Sequence, residues 1–155
     1  MNTLLHLIAG IACTRVLGVL GLMLGAGIVA VVASERQATL EAIRNLENPR
    51  HLSRPGPRGE LGPYQFRAAT WRMHTTRPFV HALQPEVSQE VAERHYDWIS
   101  RGLAQARLAV TPYNIALAWN GGLEGAVTGR APRAAHRYAE RAANLAASLL
   151  EERRV

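Results

Sequence analysis

Glu47-Asn48-Pro49-Arg50-His51-Leu52-Ser53-Arg54-Pro55-Gly56-Pro57-Arg58-Gly59-Glu60-Leu61-Gly62-Pro63-Tyr64-Gln65 is the stretch on which the reading of this chain turns. Apolar Leu40, Ile43 and Leu46 stand at helical spacing just before it, so Glu47 is expected at the C-terminal edge of a helix, where the macrodipole and apolar neighbours both oppose its ionisation. A carboxyl group kept partly protonated near neutral pH is what general-acid chemistry needs. Between Asn48 and Gly62, three prolines and three glycines make a loop that can fold back over such a side chain without a core of its own. Gly62-Pro63-Tyr64-Gln65 then opens a second helix-periodic segment. The competing reading is that Glu47 merely ends a helix in water, as most glutamates do.

Upstream of this stretch, Ser34 to Leu46 reads as the first helix, with Ser34 as N-cap and Glu35 in the first turn. Residues 1–33 read as a targeting segment. Val16 to Ala33 is uncharged, follows Arg15, and ends in Val31-Val32-Ala33, which suits cleavage by a signal peptidase. Its length equally suits an uncleaved membrane anchor. Either way, residues 34–155 are expected as one domain outside the cytoplasm. The one cysteine, Cys13, falls in the targeting segment, so that domain must rely on packing and not on disulfides.

Downstream, Gln65 to Thr76 is helix-periodic through Phe66, Ala69 and Met73, with Trp71 on another face, and Pro78 stops it. Pro85 begins a long central helix whose stripe is Val87, Val91, Trp98 and Leu103, broadened by Ala92, Tyr96 and Ile99. Thr111-Pro112 caps and starts a buried helix that Gly121-Gly122 ends. A last helix from about Pro132 turns Tyr138, Leu145 and Leu149 to the core, and Glu151 to Arg154 are expected to fray. No segment keeps the strand period for long, which predicts an all-α domain.

The motifs resemble soluble-type lytic transglycosylases and goose-type lysozymes. In that family a catalytic Glu is followed by a Ser-containing loop and then Gly-Leu-Met-Gln. This chain has Glu47, Ser53 and Gly62-Pro63-Tyr64-Gln65, the last also similar to invertebrate-type lysozymes. It departs in carrying Asn48 where the family has Ser after its Glu, which leaves Glu41 and Glu60 as lesser candidates for the acid. Ala118-Trp119-Asn120-Gly121-Gly122 resembles the family's Ala-Tyr-Asn-Ala-Gly motif, and Tyr138 its final tyrosine. The resemblance implies a lysozyme-like domain over 34–155 and cleavage of the bond between N-acetylmuramic acid and N-acetylglucosamine. It assigns Glu47 as acid and base, with Tyr138 orienting it. Ser53, Tyr64, Gln65, Trp119 and Asn120 are implied to hold the sugars. The partner implied is peptidoglycan, within reach of cell-wall or secretion machinery at the inner membrane.

The acid inventory bears on which reaction is run. A two-carboxylate glycosidase needs a second acid at a set separation, and the only aspartate is Asp97, inside the long helix. Glu60 is the other loop carboxylate: either it answers Arg58 or caps a helix, or it is the second catalytic group of a hydrolase. A transglycosylase needs only one. A non-catalytic glycan-binding protein is the third reading.

Other chemistries lack their residues. The six histidines form no His-x-x-x-His pair, and His74 and His81 stand across Pro78, so neither metal nor cofactor is expected. All eighteen basic residues are arginine and the net charge is +6, so a phosphate-binding Gly-x-x-x-x-Gly-Lys is ruled out. The arginines are dispersed as a basic surface. Charge alone fits nucleic acid, anionic lipid or an acidic polymer equally; the export segment speaks against nucleic acid.

Overall fold

The computed structural model describes residues 34–51 and 53–153. The segment read as signal or anchor lies outside them. The described elements are α1 (34–47), α2 (Ala68–His74), a 3-10 turn (Phe79–Leu83), α3 (Pro85–Gln105), α4 (Pro112–Gly121), α5 (Leu123–Val127) and α6 (Arg133–Glu152). Among the described residues there is no strand, only an isolated antiparallel bridge between Leu61 and Phe66. The fold is all-α.

Two stripes on α1 set the architecture. Leu40 and Ile43 enter the main core with Tyr64, Phe66, Trp71, Val91, Ile99, Leu103 and Ile115. Ala38 and Ala42 instead meet Ala146, flanked by Leu145 and Leu149. One turn further on, Leu46 packs against the cluster of Ala139, Ala142 and Leu117, beside Tyr138. Early α1 thus matches late α6 and late α1 matches middle α6, so the two helices run antiparallel. The buried residues of α6 are Ala135, Ala139, Ala142 and Ala146, a stripe at helical spacing that carries almost no side chain. Helix axes separated only by alanines can approach at the short end of the usual 8–10 Å range. This register brings the middle of α6 to the C-terminal end of α1.

Thr111 caps α4 by accepting from the Asn114 N–H at 3.2 Å, and Pro112 takes the first helical position. α4 ends at Gly121, with Gly122 at φ +82°. Its main packing partner is α6. On α3, the buried residues are Ser88, Val91, Ala92, His95, Ile99 and Leu103, while Val87, Tyr96 and Trp98 pack on the flanks.

Several local expectations are corrected. Ser34 is already helical and is not an N-cap. Gly62 to Gln65 do not open a helix: they form a tight turn in which the Gln65 N–H donates to the Gly62 carbonyl at 3.1 Å, closed by the Leu61–Phe66 bridge. With Gln65 at φ +45°, α2 begins only at Ala68. On α2 the expected faces are reversed, since Trp71 is fully buried and Met73 is 54% exposed. An indole has more apolar surface to hide than a methionine, and its N–H finds the Arg77 carbonyl at 2.8 Å. The C-terminal tail stays helical to Glu152, and Arg153 pairs with Glu41 at 2.6 Å. The 3-10 turn and α5 were not foreseen.

Candidate functional site

Glu47 is the last residue of α1, and the antiparallel α6 carries Tyr138 to it: the Tyr138 hydroxyl donates to Glu47 Oε1 at 2.8 Å. Burial pushes the Glu47 carboxyl up from 4.5 to about 7; the Tyr138 bond acts against this and the charge of Glu60 adds to it. Tyr138 is held far above the ordinary tyrosine range by its own burial and by Glu47, so its hydroxyl keeps its proton and remains the donor. The pair is a buried carboxyl, half-neutral near pH 7, with one oxygen fixed and the other free.

The carboxyl opens on a cleft of about 450 Å³ whose wall is the loop between Asn48 and Pro57, together with Gln65. Loop and helix end are tied at one atom. The Gly62 carbonyl accepts from Gln65 Nε2 at 2.9 Å and from Asn48 Nδ2 at 3.5 Å. An amide at position 48 reaches that carbonyl from the helix end. Gly62 must be glycine there, because it stands at φ +78° and a Cβ would lie 1.7 Å from the Ala82 carbonyl oxygen. Gly56 is confined more softly, by side-chain ends: a Cβ would fall 2.6 Å from Gln65 Oε1 and 2.7 Å from Glu60 Oε2. Gln65 and Glu60 therefore converge on the cleft wall.

Glu60 is occupied. Its Oε2 accepts from the Arg58 N–H at 2.8 Å, and Arg67 Nε stands 3.6 Å from Oε1. Desolvation raises its pKa, but the backbone N–H bonds and the charges of Arg67 and Arg58 outweigh this and hold it below the usual carboxylate range. Asp97 pairs with Arg36 at 3.2 Å. Arg36 lies eleven residues before Glu47 on α1, roughly 16 Å along a helix of 1.5 Å rise per residue. Glu41 is held by Arg153.

The remaining residues singled out from the sequence are spread out. Ser53 lines a neighbouring hollow of about 320 Å³ that shares Asn48 with the Glu47 cleft. Tyr64 is core: it is 2% exposed, its hydroxyl donates to Gln89, and it opens on a third hollow between α1 and α3. Trp119 packs with Tyr64, Phe66 and His95; it does not line the Glu47 cleft. Asn120 is exposed at the end of α4, away from the cleft wall.

Sequence reasoning missed two features. Arg50, Arg54 and Gly56 line the cleft, and their place in the loop after Glu47 was the available signal. The second is a histidine pair formed across elements, with His74 Nε2 and His95 Nδ1 2.9 Å apart. His95 stacks on Trp98 and meets Trp119 edge-on. Burial, then His74, lower it to about 3, so it is a neutral core residue. Its signal was its spacing from Val91 and Ile99.

Among the described residues no group of three or more His, Cys, Asp or Glu side chains could hold a metal ion, and no helix is long and apolar enough to cross a membrane. No family model, curated protein or solved structure matches this chain.

Proposed function

We propose that residues 34–155 form a lysozyme-like lytic transglycosylase acting on the bond between N-acetylmuramic acid and N-acetylglucosamine in peptidoglycan. The observation that carries this reading is the bond from Tyr138 to a buried Glu47 whose pKa stands at about 7 on the wall of a cleft. The resemblance assigns these same two residues to acid and positioner.

Neutral Glu47 gives its proton to the glycosidic oxygen as the bond from C1 breaks, the electron pair leaving with that oxygen. The resulting carboxylate takes the proton of the muramoyl C6 hydroxyl while that oxygen bonds to C1. This closes a 1,6-anhydro ring and returns Glu47 to its acid form. Tyr138 holds Oε1, which leaves Oε2 for both transfers. Gln65 faces the sugar from the cleft wall. Tyr64 and Trp119 serve the core.

One acid suffices for this cycle, and the other carboxylates fit poorly as a second. Glu60 is ionised but bound on both oxygens, and Asp97 is tied up at the far end of α1. A hydrolase reading keeps one supporting observation, that the charge of Glu60 reaches Glu47. The apolar stretch before residue 34 would deliver the domain outside the cytoplasm, where glycan strands and not nucleic acid are the partner.

Digestion of purified peptidoglycan by the full chain, with the soluble products weighed, tests this. Muropeptides one water lighter than their hydrolytic counterparts are expected, and none from Glu47→Gln. Hydrated products would make the protein a lysozyme with Glu60 as second carboxylate. Binding without soluble products would make it a non-catalytic glycan binder.

A further inference from the structure

Arg50 and Arg54 both line the Glu47 cleft, and neither has an acidic partner among the described residues. Two nearby arginines are committed: Arg67 stands against Glu60, and Arg44 pairs with Glu41. Nor do the two arginines serve Glu47. The groups that act on its carboxyl are Tyr138 and Glu60, so the cleft combines a half-neutral acid with two cations that have no acidic partner among the described residues.

The loop that carries them is held at both ends. Asn48 to His51 is a turn with Pro49 at its second position, closed by the His51 N–H on the Asn48 carbonyl at 3.1 Å. At the other end the Gly56 N–H donates to the Glu60 carbonyl at 2.8 Å and the Gly59 N–H to the Gly56 carbonyl at 3.0 Å. Pro57 lies inside this second turn, directly after Gly56, and Pro55 directly before it. Arg50 sits inside the first turn and Arg54 two residues before the second, and a guanidinium next to a hydrogen-bonded turn loses less backbone freedom on binding than one on a loose segment.

We infer that Arg50 and Arg54 receive a carboxylate carried by the glycan, so that the cleft selects acidic over uncharged strands. This rests on the glycan reading of the same cleft and names its substrate class. Two carboxylates on peptidoglycan have this chemistry: the lactyl group of a muramoyl residue whose peptide has been removed, and the acidic residues of an attached stem peptide. Either is a planar anion suited to the guanidinium fork.

The test measures binding and turnover with the full chain. The ligands are glycan strands bearing stem peptides, strands stripped of peptide by an amidase, and uncharged N-acetylglucosamine oligomers. Binding is read in the Glu47→Gln background, where cleavage cannot interfere. Adding Arg50→Gln and Arg54→Gln is expected to lower the preference for charged over uncharged glycan about tenfold, the size of one exposed charge-assisted contact. Arg50→Lys with Arg54→Lys should restore most of it, and Arg130→Gln, which lies outside the cleft, should not change it. In the catalytically intact protein the loss should fall on KM more than on kcat. A loss on stripped strands assigns the lactyl carboxylate, and a loss confined to peptide-bearing strands assigns the peptide. An unchanged preference in the double glutamine variant overturns the inference while leaving the glycan reading standing. Binding of none of the three glycans overturns both. Arginine-dependent binding of charged strands by a protein that cleaves nothing would uphold the inference and sink the catalytic reading.

Discussion

Tyr138 acts on Glu47 in two opposing ways, and one substitution separates them. Its hydroxyl fixes Oε1, and by donating to the carboxylate it also lowers a pKa that burial raises. Tyr138→Phe keeps the ring in its cluster and removes only the 2.8 Å bond. Hydrogen bonds to charged groups contribute roughly 1.5–3 kcal/mol, so the Glu47 pKa should rise by about one unit or more. General-acid activity falls as Glu47 ionises, so the wild-type rate should decline as pH rises through about 7. In Tyr138→Phe that decline should move to higher pH while kcat drops about tenfold from lost orientation. A pH profile of soluble-product release checks both. If the alkaline limb stays in place while kcat falls, Tyr138 is packing and not partner.

At the scale of elements, α3 and α4 were readable because each carries its own punctuation. Thr111-Pro112 marks the start of α4 and Pro85 that of α3, and the apolar repeat of α3 and α6 needs no tertiary knowledge. The turn from Gly62 to Gln65 was not readable as a turn, because the Ala82 carbonyl pressed against Gly62 comes from some twenty residues on, and the local Leu61–Phe66 bridge that closes the turn carries no signal of its own in the apolar repeat. His95 was passed over because periodicity counts apolar residues only, although its stripe position was right. Trp119 was read as a groove residue from its motif alone, while its ring is held by Tyr64, Phe66 and His95. Glu47 and Tyr138 were legible as types, but their meeting depends on an alanine register between α1 and α6 that no local signal announces.

Two glycines make the tertiary origin of the turn testable. Gly62 and Gly122 have almost the same φ, +78° and +82°, but a Cβ at Gly122 meets nothing within 4 Å. Gly122→Ala should therefore lose only a backbone penalty, about 1–3 kcal/mol, because φ +82° with ψ +146° is a conformation nearly confined to glycine. Gly62→Ala adds a clash with backbone that cannot rotate away, and should lose several kcal/mol more. Urea unfolding of both variants checks this, and equal losses would mean that the turn stands clear of the 3-10 turn.

For the molecule as a whole, two buried groups oppose each other in the dependence of stability on pH. Glu47 goes from 4.5 unfolded to about 7 folded. Between those values the folded state holds a proton that the unfolded state has released, so its contribution is fully present below 4.5 and is lost as pH rises through about 7. His95 goes from 6.5 unfolded to about 3 folded, and its contribution is present above 6.5 and is lost as pH falls. Each changes stability by about 1.4 kcal/mol per pH unit within its window. The windows overlap from 4.5 to 6.5, where the slopes cancel, and His74, which burial also lowers, tilts the balance toward the histidine side. Glu47→Gln should unmask the histidines: across that overlap its unfolding free energy should climb with pH by about 3 kcal/mol more than the wild type's. His95→Gln should do the reverse and leave a protein that weakens steadily from acid to neutral pH. Urea titrations of the three proteins across this range test the cancellation, and three parallel curves would mean that neither group is buried as its surroundings require.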